Sequence, residues 1–302
     1  MTLALETRSV SRDFESRRVV DAVSLSVAAG EKVALLGHNG AGKTTLFKMI
    51  LGFLKPTIGE LTVDGHLPGT GTARRAVSYL PENVTFQKTL TGREIMRFYA
   101  RLKRADRAQA DRLLDRVGLG AARDRRVGTY SKGMRQRLGL AQALIGTPKL
   151  LLLDEPTSGL DPISRHEFYD IVAEIAGRGS AVFLSSHSLT ELEAKTDRVA
   201  IMRSGKLVAD APLAKLRADA GLPIRIRVEH ASGDIDEMAA RLGGRRVNGR
   251  SVEILCEADR KLDRLNAIGA LGAAVTDIDV TPPSLEDVYR YFSSVEDEGV
   301  SS

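Results

Sequence analysis

"GHNGAGKTT", residues 37 to 45, places glycines, a lysine and two hydroxyls within nine positions. Gly37, Gly42, Lys43 and Thr44 fit the phosphate-loop pattern G-x-x-x-x-G-K-[ST]. Such a loop turns successive amides towards phosphate oxygens, and a Cβ on its glycines would hold the backbone too far away. Asn39, Gly40 and Thr45 complete the expected ATP-binding loop. Lys43 is expected at the β- and γ-phosphates, and the Thr44 hydroxyl in the shell of a Mg2+ ion. A glycine-rich turn without a ligand is the plainer alternative. Strand, loop, lysine and helix in that order speak against it.

"PKLLLLDEPTSGLDP", residues 148 to 162, supplies acids to match. Asp154 closes an apolar run and is expected as a direct or indirect partner of Mg2+. Glu155 beside it is placed to take a proton from an attacking water, or to orient that water. Two solvated carboxylates after a strand would be credible alone, but not downstream of a phosphate loop. In "FLSSHSLTELEA", His187 follows another apolar run and is expected to reach the γ-phosphate. A lone histidine at such a place is more often structural. Glu155 and His187 are thus the candidate catalytic pair for ATP hydrolysis.

A second anion site is suggested by "TYSKGMRQRLGLAQAL", residues 129 to 144. Ser131 is a good N-cap, Gly133 leaves the backbone uncovered, and Met134, Leu138, Ala141 and Ile145 recur at helical spacing. A helix N-terminus of that kind suits a phosphate.

These residues need a frame. Residues 33–36 and the four leucines 150–153 are short apolar runs, as buried parallel strands require. Ligands of such sheets bind at the carboxyl ends of the strands. Gly52 is a plausible helix stop after the phosphate loop. Capping boxes are read at Thr91–Glu94 and Ser188–Glu191. The first is followed by Ile95, Phe98, Tyr99 and Leu102 at helical spacing, so residues about 88 to 145 form a mainly helical insert. The fold class expected is α/β, a P-loop NTPase core with a helical subdomain and a small α+β domain after it.

Over residues 1 to about 210 the chain resembles the ATP-binding subunits of ABC transporters. "YSKGM" at 130 to 134 looks like the signature of that family, "SGLD" at 158 to 161 like its D-loop, and His187 like its switch histidine. Phe14 falls where the family stacks an aromatic on adenine, a core phenylalanine being the alternative. The resemblance implies two ATPase domains associated head to tail. Ser131, Lys132 and Gly133 would then cap a γ-phosphate held by the other copy's phosphate loop, with Ser158 and Asp161 at the dimer seam. One loop and one signature per chain make the partner a second copy. In "YLPENVTF", Glu82 stands where many members have a glutamine that reaches Mg2+ and senses the membrane subunit. A carboxylate is still an oxygen ligand. Lys132 stands where a small residue is frequent; it either adds charge near the phosphate or lies in solvent. The helical insert is expected to dock a cytoplasmic helix of a polytopic permease.

Residues 1–210 are read as the ATPase domain, 211–222 as a linker, 223–295 as the small α+β domain and 296–302 as a frayed tail. "IRIRV", "IDEMAARL", "VEILC", "KLDRLNAIGAL" and "VTDIDV" alternate strand and helix. The ending "PPSLEDVYRYF" resembles ATPases that serve exporters of the ABC-2 type. "GHNGAGKTT", "YLPENVTF", "TYSKGMRQRLGLAQAL" and "AGLPIRIR" narrow the likeness to ATPases of the Nos systems, which help to mature the copper sites of periplasmic nitrous-oxide reductase. That likeness implies a periplasmic maturation protein as a further partner and a copper- or sulfur-related cargo. One cysteine and five scattered histidines make no copper-ligand cluster here.

Composition excludes several classes. The single Cys256 leaves no disulfide framework and suits a reducing cytosol. No apolar stretch approaches the roughly 18 to 20 residues that cross a bilayer, and the start lacks a signal-peptide core. The expectation is a cytoplasmic protein, bound to the inner face of the membrane through its permease. Residues 1–210 carry 32 Lys and Arg against 23 Asp and Glu, and the remainder 12 against 16. The basic charges are scattered, so no nucleic-acid partner is expected. A soluble ABC-type ATPase acting on ribosomes or nucleic acid is the rival reading. Such proteins carry two ATPase units or a long coiled coil, and neither is present. An ABC-2 exporter ATPase for an unrelated drug or lipid is the other.

Overall fold

The computed structural model describes residues 2–15, 17–186, 189–231 and 235–294. His187, Ser188 with its capping box, and the 296–302 tail lie outside the described residues. Up to Ala211 the chain forms one compact unit, and from Pro212 a second.

The first unit runs β1 (Leu3–Phe14), β2 (Arg17–Ala28), β3 (Lys32–Leu36), α1 (Lys43–Ile50), β4 (Ile58–Val63), α2 (Gly71–Ala76), β5 (Val77–Leu80) and α3 (Gly92–Lys103). It continues through α4 (Arg107–Arg116), α5 (Lys132–Ala143), β6 (Leu150–Asp154), α6 (Pro162–Gly177), β7 (Ala181–Ser185), α7 (Leu189–Leu192), β8 (Arg198–Arg203) and β9 (Lys206–Ala211). A six-stranded sheet has the order β5-β6-β7-β3-β8-β9, parallel except for β9. An antiparallel sheet, β2-β1-β4, forms a second layer. All four leucines of β6 are fully buried. That is why its sequence is a continuous apolar run rather than an alternating one.

One core cluster joins Leu5 and Val23 of the antiparallel sheet, Leu46 and Phe47 of α1, and Leu35, Leu152 and Phe183 of the parallel sheet. Phe47 meets Tyr79 edge-on at 6.5 Å and Phe183 at 5.4 Å. It thereby seats the helix that follows the phosphate loop. Phe47→Ala is expected to cost about 3–5 kcal/mol, the loss of a fully buried aromatic and the cavity it leaves. Equilibrium urea unfolding measures this directly, and a loss below about 1 kcal/mol would show that the core collapses around the gap.

Helices α3, α4 and α5 make up the insert. Both halves of the Thr91–Glu94 capping box form: the Thr91 hydroxyl accepts from the Glu94 amide at 3.2 Å, and the Glu94 carboxylate accepts from the Thr91 amide at 2.8 Å. Phe98 and Leu102 on α3 remain exposed, whereas Ile95 is buried.

The second unit contains α8 (Leu213–Ala220), β10 (Ile224–His230), α9 (Ile235–Leu242), β11 (Arg245–Arg246), β12 (Ser251–Cys256), α10 (Lys261–Gly269), β13 (Val275–Thr281) and α11 (Leu285–Ser294). Its sheet is antiparallel with order β11-β12-β10-β13, the β-α-β-β-α-β arrangement of ferredoxin-like folds. Two sequence expectations change. Residues 211–222 are no bare linker, because α8 occupies most of them. Its Leu216 and Ala220 are buried, and Gly221 at φ +59° ends it. The unit also has a fourth strand, β11, which is too short to show any periodicity. Ile226 and Val228 of β10 pack with Met238 and Leu242 of α9. On the opposite face Arg245, Glu253, Arg227 and Asp279 are cross-strand neighbours in one row. Their charges alternate, and Arg245 donates to Glu253 at 3.1 Å. Opposite charges placed in this way stabilise a solvated sheet face.

Candidate nucleotide site

Strand β3 ends at Leu36 and the chain turns at once into the glycine loop. A Cβ at Gly37 would stand 2.6 Å from the Met202 carbonyl oxygen, and one at Gly42 2.7 Å from that of Val19. Gly42 also has φ +103°, where L-residues are strained. The nearest obstacle at both positions is therefore the protein's own backbone. Gly40 differs: its φ is +85°, and no atom lies within 4 Å of a Cβ built on it. The loop wraps a cavity of about 180 Å³ lined by Val19 and residues 38–45. Asn39, Gly40, Gly42, Lys43, Thr44 and Thr45 all belong to that lining. Val19 was not anticipated from the sequence.

Gly42 is the N-cap of α1 and offers no side-chain acceptor. The first-turn amides of Lys43, Thr44 and Thr45 thus precede the helix's own ladder and suit an anion. The Lys43 ammonium donates to the Gly37 carbonyl, and to that of His38 at 3.2 Å. Burial draws its pKa below the usual lysine value, while Glu155 and Asp154 oppose that shift. One cation and two carboxylates therefore share this end of the sheet.

Neighbouring strands bring them there. β6, β7 and β3 are adjacent, and Ser185 stands level with both Asp154 and Leu35. Asp154 accepts two hydroxyl protons, from Ser185 at 2.6 Å and from Tyr79 at 3.2 Å. Burial, then Asp154, then Glu82 push the Tyr79 pKa upwards, so the phenol stays a donor. The next residue, Glu155, has φ +46°. A left-handed non-glycine backbone costs roughly 1–3 kcal/mol and is held only where its surroundings impose it. Here the Glu155 amide donates to the carbonyl and hydroxyl oxygens of Ser185, each at 3.2 Å. Neither Tyr79 nor Ser185 was singled out in the sequence. A hydroxyl at the end of the β7 run was the available signal for Ser185.

Exposed Glu82 lies in the loop after β5. With Asn83, Val84 and Thr85 it lines a second cavity of about 180 Å³, whose opposite wall is Lys132, Arg135 and Gln136 of α5. Ser131 caps α5, its hydroxyl accepting from the Met134 amide at 3.1 Å. A Cβ at Gly133 would meet Leu160 Cδ2 at 3.4 Å. Lys132 is exposed, as the second sequence alternative had it, but its stem does not run freely into solvent. Its side chain lies over Gly159, where a Cβ would fall 2.7 Å from Nζ and 2.9 Å from Cδ and Cε. Gln136, buried, donates to the Pro156 carbonyl at 2.8 Å. The start of α5 and the segment 156–160 are therefore packed together within one chain.

Within that segment the Ser158 amide donates to the Glu155 carbonyl at 3.2 Å. Asp161 caps α6, accepting from the Ser164 amide at 3.0 Å and hydroxyl at 2.7 Å. Those bonds hold its carboxyl below the usual aspartate range. Phe14 ends β1 at 40% exposure, with the Arg12 guanidinium 4.7 Å from its ring centroid. It is no core residue, and it stands outside the lining of the loop cavity.

Thr44 lines the loop cavity, Asp154 ends β6 and Glu82 lines the second cavity; all three carry oxygen donors, the kind a hard ion such as Mg2+ prefers. Among the described residues no three His, Cys, Asp or Glu side chains are grouped to hold a metal by themselves. No helix among the described residues is long and apolar enough to cross a membrane.

Comparison with known proteins agrees with this geometry. The family profile described as "ABC transporter" matches residues 20–158. The daunorubicin/doxorubicin resistance ATP-binding protein DrrA of Streptomyces peucetius is 37% identical over 80% of this chain and 76% of its own length. The Nod factor export ATP-binding protein I of Rhizobium sp. (strain N33) is 33% identical over 95% of this chain and 96% of its own. Among solved structures, an ATP-binding subunit of an ABC transporter superposes with a TM-score of 0.69 at 30% identity, over 78% of this chain and 98% of that one.

Proposed function

The chain belongs to the ATP-binding subunits of ABC transporters, and on that premise we propose that it drives an exporter of the ABC-2 type from the cytoplasmic face of a membrane. Subunits of this family hydrolyse ATP with Mg2+ and work as dimers with a membrane permease partner. The observation that carries the reading is the convergence of the glycine loop, Lys43, Asp154 and Glu155 at the carboxyl edge of β6, β7 and β3.

In this reading the amides of residues 39–45 and the Lys43 ammonium bind the β- and γ-phosphates. Mg2+, when bound, neutralises phosphate charge, and Thr44, Asp154 and Glu82 are the residues that would hold it. Tyr79 and Ser185 fix the Asp154 carboxylate. Glu155 orients a water and takes its proton as the water oxygen bonds to the γ-phosphorus. The bond from that phosphorus to the bridging oxygen breaks, and ADP and inorganic phosphate leave. His187 contacts the γ-phosphate, and Phe14 offers its free face to adenine. Ser131, Lys132 and Gly133 act on the nucleotide of the other copy. The loop cavity is lined by Val19 and residues 38–45, and in the shared-site reading the start of the other copy's α5 closes over it. ATP, touching both copies, favours the closed dimer by its differential affinity.

The exposed Phe98 and Leu102, close to the Glu82 loop in sequence, suit a cytoplasmic helix of the permease. Cargo is chosen by that permease. DrrA is named for daunorubicin and doxorubicin resistance and the Rhizobium protein for Nod factor export. Their coverage of most of this chain favours a drug or lipid cargo. The narrower resemblance to NosF, the Nos ATPase, rests on four short stretches and would make the cargo copper- or sulfur-related, with a periplasmic maturation protein as a further partner.

Affinity purification from detergent-solubilised native membranes, followed by mass spectrometry, tests the proposal. A polytopic membrane subunit is expected to co-purify. If a Nos maturation protein accompanies it, the narrower reading holds. Recovery only with ribosomes or DNA-associated proteins would overturn the exporter reading.

A further inference from the structure

Arg165 stands in the first turns of α6, four residues beyond the SGLD segment, and it makes contacts on two sides. One terminal nitrogen donates to the Leu160 carbonyl at 3.1 Å. The other bonds Glu191 of α7, the short helix that follows the His187 segment. The pair is largely withdrawn from solvent, with side-chain exposures of 33% and 21%. A guanidinium and a carboxylate are suited to two parallel bonds. Only one is made, and Arg165 Nε and Glu191 Oε2 are buried without a hydrogen bond among the described residues. Leu160, whose carbonyl Arg165 holds, is also the residue whose side chain lies under Gly133.

A turn further along α6, Tyr169 is buried and lies close to Thr157, Glu191, Arg165 and Glu155. Burial pushes its pKa up to about 12, so it stays neutral at physiological pH. The segment between Glu155 and Asp161 is therefore floored by a polar cluster, in which Arg165 hydrogen-bonds both the segment, at Leu160, and α7, at Glu191. Exposed ion pairs contribute little. This one is largely withdrawn from solvent and links the 156–161 segment to α7.

We infer that Arg165 is a positioning residue: it sets the 156–161 segment, and through Leu160 the start of α5, against α7, so that the surface offered to a second copy's nucleotide is registered to the state of the chain's own site. This rests on the shared-site reading above and names the side chain that would couple its two halves. Arg165 lies outside the lining of the loop cavity.

The test uses full-length Glu155→Gln protein, which is expected to trap ATP, with and without Arg165→Ala. Binding of a fluorescent ATP analogue is followed in dilute protein, and ATP-driven dimerisation by light scattering. Glu155→Gln is expected to dimerise. The double variant is expected to bind nucleotide within about twofold of it while needing about tenfold more protein to dimerise, a coupling of ordinary size. Dimerisation equal to that of Glu155→Gln overturns the inference and leaves the shared site standing. Lost nucleotide binding would assign Arg165 a general structural role and also overturn it. Failure of Glu155→Gln itself to dimerise would remove the reading on which the inference rests. Arg165→Lys provides the finer control. It keeps a charge for Glu191 but lacks the planar fork whose second nitrogen reaches Leu160, and full rescue would overturn the part assigned to the carbonyl.

Discussion

Glu155→Gln is expected to bind ATP as the unaltered protein does and to hydrolyse it about 100- to 10,000-fold more slowly, the range that a positioned general base contributes. Glutamine keeps the shape and the left-handed backbone. The two amide bonds to Ser185 do not depend on the side chain. What is lost is the carboxylate as proton acceptor. Trapped ATP should then hold two copies together, and size-exclusion chromatography with ATP should show the dimer. Adding Ser131→Arg should return it to monomer without loss of nucleotide affinity, because Ser131 lies outside the lining of the chain's own loop cavity. A Glu155→Gln protein with unaltered turnover would show that another group takes the proton.

Lys43→Ala is expected to weaken ATP binding by about ten- to a hundredfold, the worth of one or two hydrogen bonds from a charged donor. Two losses combine. The ammonium leaves the phosphates, and the Gly37 and His38 carbonyls lose the donor that ties the loop to the start of α1. Titration with a fluorescent nucleotide gives the affinity directly. Near-normal affinity would mean that the first-turn amides alone hold the phosphates.

Much of this was legible because the informative contacts are local. The glycine loop, the acids after the leucine run, the Ser131 cap and the Thr91–Glu94 box each lie within a few residues, and chain geometry constrains them directly. The contacts that orient Asp154 were not legible. Tyr79 and Ser185 are far from it in sequence and reach it only because β5, β6 and β7 are neighbours, an order that residue patterns do not encode. Arg165 and Glu191 are hidden for the same reason. Lys132 was read only against phosphate or solvent, since nothing local announces that its stem covers Gly159. In the second unit the misses are of another kind. β11 is too brief to have a period, and α8 was obscured by the proline and glycine at its ends, although Leu213, Leu216 and Ala220 are spaced along one helical face.

The left-handed backbone at Glu155 has a consequence for how this chain could diverge after gene duplication. That conformation is poorly tolerated by β-branched side chains, so valine, isoleucine and threonine are disfavoured replacements irrespective of chemistry. Asparagine is enriched there and glycine adopts it freely, and neither carries a carboxylate. Loss of the proton acceptor is therefore channelled towards replacements that leave the fold and the phosphate loop intact. A duplicated copy drifting at this position would tend to become a nucleotide-gated clamp, a part that closes without consuming its ligand, before it became an unfolded remnant.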